Sequence, residues 1–278
     1  MTEPSQPLYV CGYSERELER LETQGAFFAD LSRQLLETAG LSVGMSVLDI
    51  GCGVGNLSLL AAEIVGPTGS VLGVDRAPDP LERARAQADA CGAQHVQFRL
   101  CAIDELPPGP PVDALIGRFV LMHQADPALT LSNAVRHVRA GGLVAMLESH
   151  MHGLVAAVHS WPHSPIYDRI VGWLTDVIRT AGAHADMGLR LQRVFVDAGL
   201  TSPTLSLQAR VEGGPDAAIY RYITDSLRSM LPLAAQFGIA NLSLDEVDEL
   251  ERQLRDELAA SGGVLTSPIV VGAWCQLS

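Results

Sequence analysis

Residues 47–55 read VLDIGCGVG. A short apolar run meets three glycines in the spacing Gly-x-Gly-x-Gly, at Gly51, Gly53 and Gly55. The run has the length and composition of a strand buried on both faces. Glycine carries no Cβ, so the chain can turn tightly and a ligand can lie against the main chain. Beyond the turn, Leu57, Leu60, Ala61 and Ile64 fall at i, i+3, i+4 and i+7, one face of a helix. The order strand, glycine turn, helix offers free amides to a ligand with acceptor or anionic groups. A nucleotide-like ligand is expected. A buried strand with a tight turn and no ligand is the plain alternative.

Upstream, Ser14 and Glu17 have the spacing of a capping box. Leu18, Leu21, Gly25, Phe28 and Leu35 continue one face and predict a single helix to about Thr38. Downstream, SVLGVD at 70–75 predicts a second strand ending on Asp75, and Asp79-Pro80 a helix start. HVQFRL at 95–100 and VDALIGRFV at 112–120 predict the third and fourth strands. Asp126-Pro127 opens a helix with Leu131, Ala134, Val135 and Val138 inward, closed by Gly141-Gly142. LVAMLE at 143–148 predicts a fifth strand. Strands alternating with amphipathic helices predict an α/β fold, a parallel sheet with helices on both faces. Later, 188–200 predicts a helix, TLSLQARV a strand, and 264–277 an extended strand interrupted by Pro268. The organisation expected is one domain over 1–278, with a helical segment over 1–40 and helical insertions at 149–186 and 213–262.

The 278 residues are 47% hydrophobic with a formal net charge of -13. Such composition supports a large buried core. It disfavours nucleic acid and anionic membrane surfaces, which need clustered Lys and Arg. Five scattered cysteines without a CxxC pair disfavour a disulfide framework or zinc site and point to a reducing cytoplasm. No apolar run reaches the roughly 18 residues of a membrane span, and the first residues lack a signal-peptide layout.

Two nucleotide readings compete at the glycine turn. A dinucleotide site wants Gly-x-Gly-x-x-Gly. Here the spacing differs, and Asp49 just ahead of the turn would repel a pyrophosphate. An acid there suits an ammonium or sulfonium group. Asp75, ending the second strand, can accept both hydroxyls of a ribose. The two acids together favour S-adenosylmethionine.

VLDIGCGVG, VLGVD, FRLCAIDELP and VRHVRAGGLVAMLE resemble the successive motifs of class I S-adenosylmethionine-dependent methyltransferases. More narrowly, the chain is similar to bacterial small-molecule methyltransferases of the ubiquinone-methylase-like type. The resemblance implies a Rossmann-like, mostly parallel seven-stranded sheet whose last strand is antiparallel. It also implies cofactor-binding roles. Asp49 and the turn Gly51, Cys52, Gly53, Gly55 and Asn56 would hold the methionine part. Asp75 would take the ribose and Arg76 flank the adenine. Arg118 and Phe119 at the end of the fourth strand would face the methionine amine. The family usually has an acid after the third strand to accept from the adenine amine. Here that position is Ala102, leaving the Ile103 amide to reach the ring.

Four of the eight histidines fall within 150–163. In open parallel sheets ligands bind beyond the carboxyl ends of the strands. The acceptor is therefore expected near Glu148, His152, His159, Trp161, His163 and Tyr167. His123 and His150 are the candidate catalytic bases. Two other readings of the histidines stand beside this one: a metal site, which their spacing does not favour, and polar lid residues without a catalytic role. Tyr9 and Tyr13 either close over the cofactor or anchor the N-terminal segment. The function expected is methyl transfer to a small, largely hydrophobic natural-product or quinone-like acceptor. The alternatives are cyclisation or rearrangement on the same fold without methyl transfer, and a non-catalytic cofactor-binding module. The only partners expected are the acceptor and a second copy in a homodimer.

Overall fold

The structure, a computed structural model, describes residues 9, 11–151 and 160–278. Its centre is a seven-stranded sheet. In chain order the first strands are β1 (Ser46–Ile50), β2 (Ser70–Asp75), β3 (Val96–Leu100), β4 (Val112–Arg118) and β5 (Val138–His150). They alternate with α3 (Asn56–Val65), α4 (Pro78–Ala90) and α5 (Pro127–Val135), after the leading helices α1 (Glu15–Phe27) and α2 (Ala29–Ala39). The second half supplies β6 (Ser160–Trp161), α6 (Pro165–Thr180), α7 (Met187–Asp197), β7 (Thr204–Gln208) and β8 (Val211–Gly213). It closes with α8 (Ala218–Gln236), α9 (Leu244–Ser261), β9 (Val264–Thr266) and β10 (Ile269–Gln276).

The large sheet has the order β3-β2-β1-β4-β5-β10-β7. Only β10 runs antiparallel to its neighbours, β5 and β7. This is the doubly wound, mostly parallel sheet expected from the alternation. The order reverses beside β1, so the carboxyl ends of β1 and β4 flank a crevice. Strands β6, β9 and β8 form a separate antiparallel sheet. Helix α8 packs on α1, α6 and α9 over that end of the molecule.

Several local readings are corrected. The long first helix is two, broken at Phe28 (φ -100°, ψ 9°). Phe27 and Phe28 are both buried. Neighbouring residues point about 100° apart on one helix, and the break lets both rings pack against Tyr222. The Ser14 box is half formed: Ser14 Oγ accepts the Glu17 amide, but the Glu17 side chain turns inward to Arg20. Helix α4 starts at Pro78 rather than after Asp79, because Asp75 Oδ1 accepts the Ala77 amide and turns the chain early. Val138, Gly141 and Gly142 belong to β5, not to a helix end. A Cβ on Gly142 would meet the Asp113 carbonyl at 2.9 Å, where the β4–β5 register shifts. The stretch TLSLQARV divides between two sheets at Arg210, whose amide donates to Ser267 Oγ while the Ser267 amide donates to its carbonyl. The second capping box, Ser243 with Glu246, is complete.

Gly272 in β10 lets α2 lie directly on the sheet. A Cβ there would fall 1.6 Å from Leu35 Cδ1, a side chain buried in the core. Gly272→Ala is expected to destabilise by about 1–3 kcal/mol through overpacking. Calorimetry would register a Tm lower by about 2–4 °C per kcal/mol; an unchanged Tm would contradict this packing.

Candidate active site

A cavity of roughly 490 Å³ opens beyond the carboxyl ends of β1, β2 and β4. That size lies within the range of about 300–1,000 Å³ usual for small-molecule sites. One end is the glycine turn. Gly53 has φ 53°, and a Cβ there would meet nothing within 4 Å. It is therefore the one position in the turn where a ligand can press on open main chain. Gly55 (φ 84°) does a different job, since a Cβ would strike Ala84 and Phe98 at 2.9 Å. The Gly53 amide donates to Asp75 Oδ2 at 2.9 Å, and the Ala77 amide to Oδ1 at 3.0 Å. Each carboxylate oxygen has a second lone pair for a hydroxyl. Burial, only partly offset by these amides, raises the Asp75 carboxyl above its usual range. Asn56 Nδ2 donates to the Leu21 carbonyl and ties the turn to α1.

Asp49 is buried beneath the turn and accepts from Ser58 Oγ at 2.5 Å. Burial pushes its carboxyl up to about 7, with Ser58 and Arg118 working against the rise. Arg118 is half-buried, and desolvation pushes its guanidinium down to about 10 against the pull of Asp49. Its Nη1 donates to Ser32 Oγ at 2.9 Å. The next residue, Phe119, has φ 57°, the one positive φ outside glycine among the described residues. A bulky residue in that region marks strain, and strain concentrates at functional sites. Cys52, Arg76, Ala102 and Ile103 also line the cavity. Eleven of the twelve residues expected at the cofactor therefore line one space; Gly55 does not, and packs instead toward Ala84 and Phe98. Ala102 stands where the acid was expected, and Asp104 is the nearest acid along the chain that lines the wall.

The acceptor residues divide. His123 lines the cavity, and its Nδ1 is buried without a hydrogen-bond partner. Burial, helped by Arg20, pushes this imidazole down to about 4, so it is neutral at ordinary pH. His150 lies elsewhere. Successive strand residues face opposite ways, and it packs over Gly188 of α7 while its neighbours Ser149 and Met151 line the cavity. Its Nδ1 sits 3.3 Å from the Asp186 carbonyl. Tyr167 is buried in α6 with its hydroxyl donating to the Thr266 carbonyl at 2.8 Å. Trp161 is 70% exposed on β6. His163 is exposed and paired with Asp168 at 2.8 Å. His152 and His159 lie outside the described residues.

Glu148 is the main correction. It does not line the cavity. Its Oε1 accepts the amides of Val120 (2.9 Å) and Leu121 (2.7 Å), and Oε2 that of Met122 (3.3 Å). It therefore holds the segment that carries Phe119 and His123. Sequence reading missed the opposite wall as well. Arg20, Gln24, Leu174, Ile178, Ile223 and Ser226 come from α1, α6 and α8. Only the amphipathic pattern of those helices hinted at a shared face.

Residues 41–199 match the family model of a methyltransferase domain. The chain belongs to the class I S-adenosylmethionine-dependent methyltransferases. It is 34% identical over 172 residues to an uncharacterized 37.1 kDa transposon-borne protein of Streptomyces fradiae, covering 62% of this chain and 48% of that one. It is 34% identical over 122 residues to the aklanonic acid methyltransferase DauC of a Streptomyces species, covering 43% of this chain and 54% of that one. The methyltransferase thus spans about half the length of these relatives. Among solved structures, a Bacillus halodurans protein assigned as a methyltransferase superposes with a TM-score of 0.58 at 16% identity, over 88% of this chain and 97% of the other. That likeness supports the fold. The cofactor of the family is S-adenosylmethionine, and the open Gly53 and the clasped Asp75 fit its ribose and methionine portions.

Glu148→Ala is expected to leave three buried amides without an acceptor, at a cost of about 1–3 kcal/mol or more. The Glu148 carboxyl is raised by burial from 4.5 to about 7, with the three amides opposing the rise. The folded state then binds its proton more tightly than the unfolded chain. The stability this contributes is full below pH 4.5 and lost as pH rises through about 7. Denaturant unfolding of wild type and variant across that window should differ most at low pH; a difference that grows with rising pH would contradict the assignment.

Proposed function

We propose that the protein transfers a methyl group from S-adenosylmethionine to a small, largely apolar acceptor. The continuity of the cavity carries this reading. One space runs from the Gly53–Asp75 clasp to a wall of Leu174, Ile178, Ile223 and Met230, with His123 also lining it. The wall suits an apolar molecule, and the helices that bear it act as a lid over the sheet. When bound, the cofactor supplies a methyl activated by its sulfonium. What the chain must do is exclude water and align the acceptor in line with that methyl. Asp75 orients the ribose hydroxyls and the Gly53 turn the methionine portion. The neutral His123, at the cavity wall, accepts a hydrogen bond from the acceptor's O–H through its unprotonated ring nitrogen. An imidazole held near 4 is a weak proton acceptor, since general bases work best near the operating pH. Its role is orientation first, and the acceptor's proton passes to the imidazole only as positive charge builds on the acceptor oxygen. A natural-product acceptor is supported by the similarity to aklanonic acid methyltransferase. The absence of a basic cluster and the net charge of -13 support a protein acting free of nucleic acid, and the scattered cysteines support a reducing cytoplasm. No described helix is long and apolar enough to cross a membrane.

Incubation with labelled S-adenosylmethionine and hydroxylated ring compounds is expected to release S-adenosylhomocysteine and leave one acceptor heavier by a methyl group. A product of unchanged mass with no cofactor consumed would replace this reading with rearrangement chemistry. His123→Ala is expected to lower kcat by about ten- to a hundredfold. The His123 imidazole stays neutral down to about pH 4. Its contribution to the rate should therefore persist below its ordinary value of 6.5. A wild-type profile that falls through 6.5, and a His123→Ala profile that does not, would contradict the buried, neutral imidazole.

A further inference from the structure

One cluster of buried charge in the lid has no part in the cofactor clasp. Glu17 and Arg20 of α1 are buried, with exposures of 0% and 5%. Arg20 Nε donates to Glu17 Oε2 and Nη2 to Oε1, both at 2.7 Å. Tyr9 donates its hydroxyl to Glu17 Oε1 at 2.6 Å, and accepts from Arg20 Nη2 at 3.1 Å. Ser229 of α8 donates to Glu17 Oε2. Glu17 is thus fully engaged. Arg20 is not: its third nitrogen, Nη1, makes no hydrogen bond among the described residues, and Arg20 lines the cavity. Burial alone would push the guanidinium down, but Tyr9 and Glu17 more than offset it and keep it charged.

The surroundings of Arg20 limit what it can hold. Three of the five tyrosines, Tyr9, Tyr13 and Tyr222, line the same cavity together with Phe119. Tyr9 stacks on Tyr13 with ring centres 5.2 Å apart, and meets the His123 ring edge-on at 5.1 Å. Aromatic walls favour a flat ring by offset stacking and edge contacts. The charge of Arg20 is already matched by Glu17. A second carboxylate brought to the same buried spot would meet the Glu17 charge, and like charges in such a site oppose one another. A neutral oxygen takes the spare N–H donors without adding charge.

We infer that Arg20 Nη1, held by Glu17 and Tyr9, is an acceptor-binding subsite for the carbonyl oxygen of a neutral, apolar ring compound. This rests on the methyl-transfer reading and names the substrate class for it. Arg20 donates to the carbonyl while the neutral His123 accepts from a hydroxyl. The two groups of opposite hydrogen-bonding sense select hydroxy-ketone rings over simple phenols and over hydroxy-acids.

The test is equilibrium binding to the full chain in saturating S-adenosylhomocysteine. The probes are 1-naphthol, its neutral ketone 2-acetyl-1-naphthol, and the carboxylate 1-hydroxy-2-naphthoate. The ketone is expected to bind about tenfold more tightly than either of the others. Arg20→Gln should bring the ketone to within about twofold of 1-naphthol while S-adenosylhomocysteine still binds. If that variant fails to fold because Glu17 is left unpaired, the Glu17→Gln, Arg20→Gln double variant keeps the pair neutral and carries the same expectation. Tightest binding by the carboxylate, a ketone preference that survives in the double variant, or no binding of any probe to wild type would overturn the inference. Failure of the methyl-transfer reading has a separate signature, the absence of S-adenosylhomocysteine binding or of cofactor consumption.

Discussion

The carboxylate of Asp75 holds two backbone amides at once, one from Gly53 in the turn after β1 and one from Ala77 at the start of α4. Three chain segments meet at that side chain. The Asp75 carbonyl adds a fourth by accepting the Cys101 amide at the end of β3. The glycine turn leaves the sheet with Gly51, Gly53 and Gly55 all at positive φ, a conformation with high entropy in the unfolded chain. Charge-assisted hydrogen bonds are among the stronger single contacts available to fix such a loop. The clasp fixes the turn while leaving the face of Gly53 open, so the residue that shapes the site also belongs to it.

A fully buried carboxylate does the matching work on the other side of the crevice. Glu148 gathers three amides from Val120 to Met122. It thereby holds Phe119 in its unfavourable φ and sets His123 against the cavity. The cost of an unsatisfied buried amide exceeds the gain from a made one, so a carboxylate that accepts three is hard to replace. Glu17 in α1 repeats the device, engaging Tyr9, Arg20 and Ser229 across the N-terminal segment and α8. The sheet end and the lid are thus each pinned by one buried acid, and the cavity lies between them.

The sheet and the cofactor cradle were legible in the sequence because both are local. Alternation of apolar runs and helix faces shows in short windows, and Asp75 closes the very strand it marks. What sequence reading misplaced depends on contacts distant along the chain. Glu148 and His150 fall at a strand's carboxyl end, as a ligand site requires, but strand alternation turns both away from the cavity. The cluster of histidines near 150–163 drew attention by density, yet His163 is exposed and His150 packs on α7. Arg20 carries no signal of its own in the sequence of α1. Nothing local says that α8 would bury it beside Glu17. The half-formed capping box at Ser14 was the one available signal, because Glu17 fits a box in sequence and is used elsewhere in the fold.

The central claim is that the Gly53–Asp75 clasp is built for a cationic adenosyl cofactor and not for a phosphorylated one. Calorimetric titration of the purified chain with S-adenosylmethionine, S-adenosylhomocysteine, ATP and NAD tests it most directly. The account predicts saturable binding of the two sulfur compounds and none of the two phosphate-bearing nucleotides, because Asp49 lies buried beneath the turn that a phosphate would approach. Binding of ATP or NAD as tight as that of S-adenosylmethionine would contradict it.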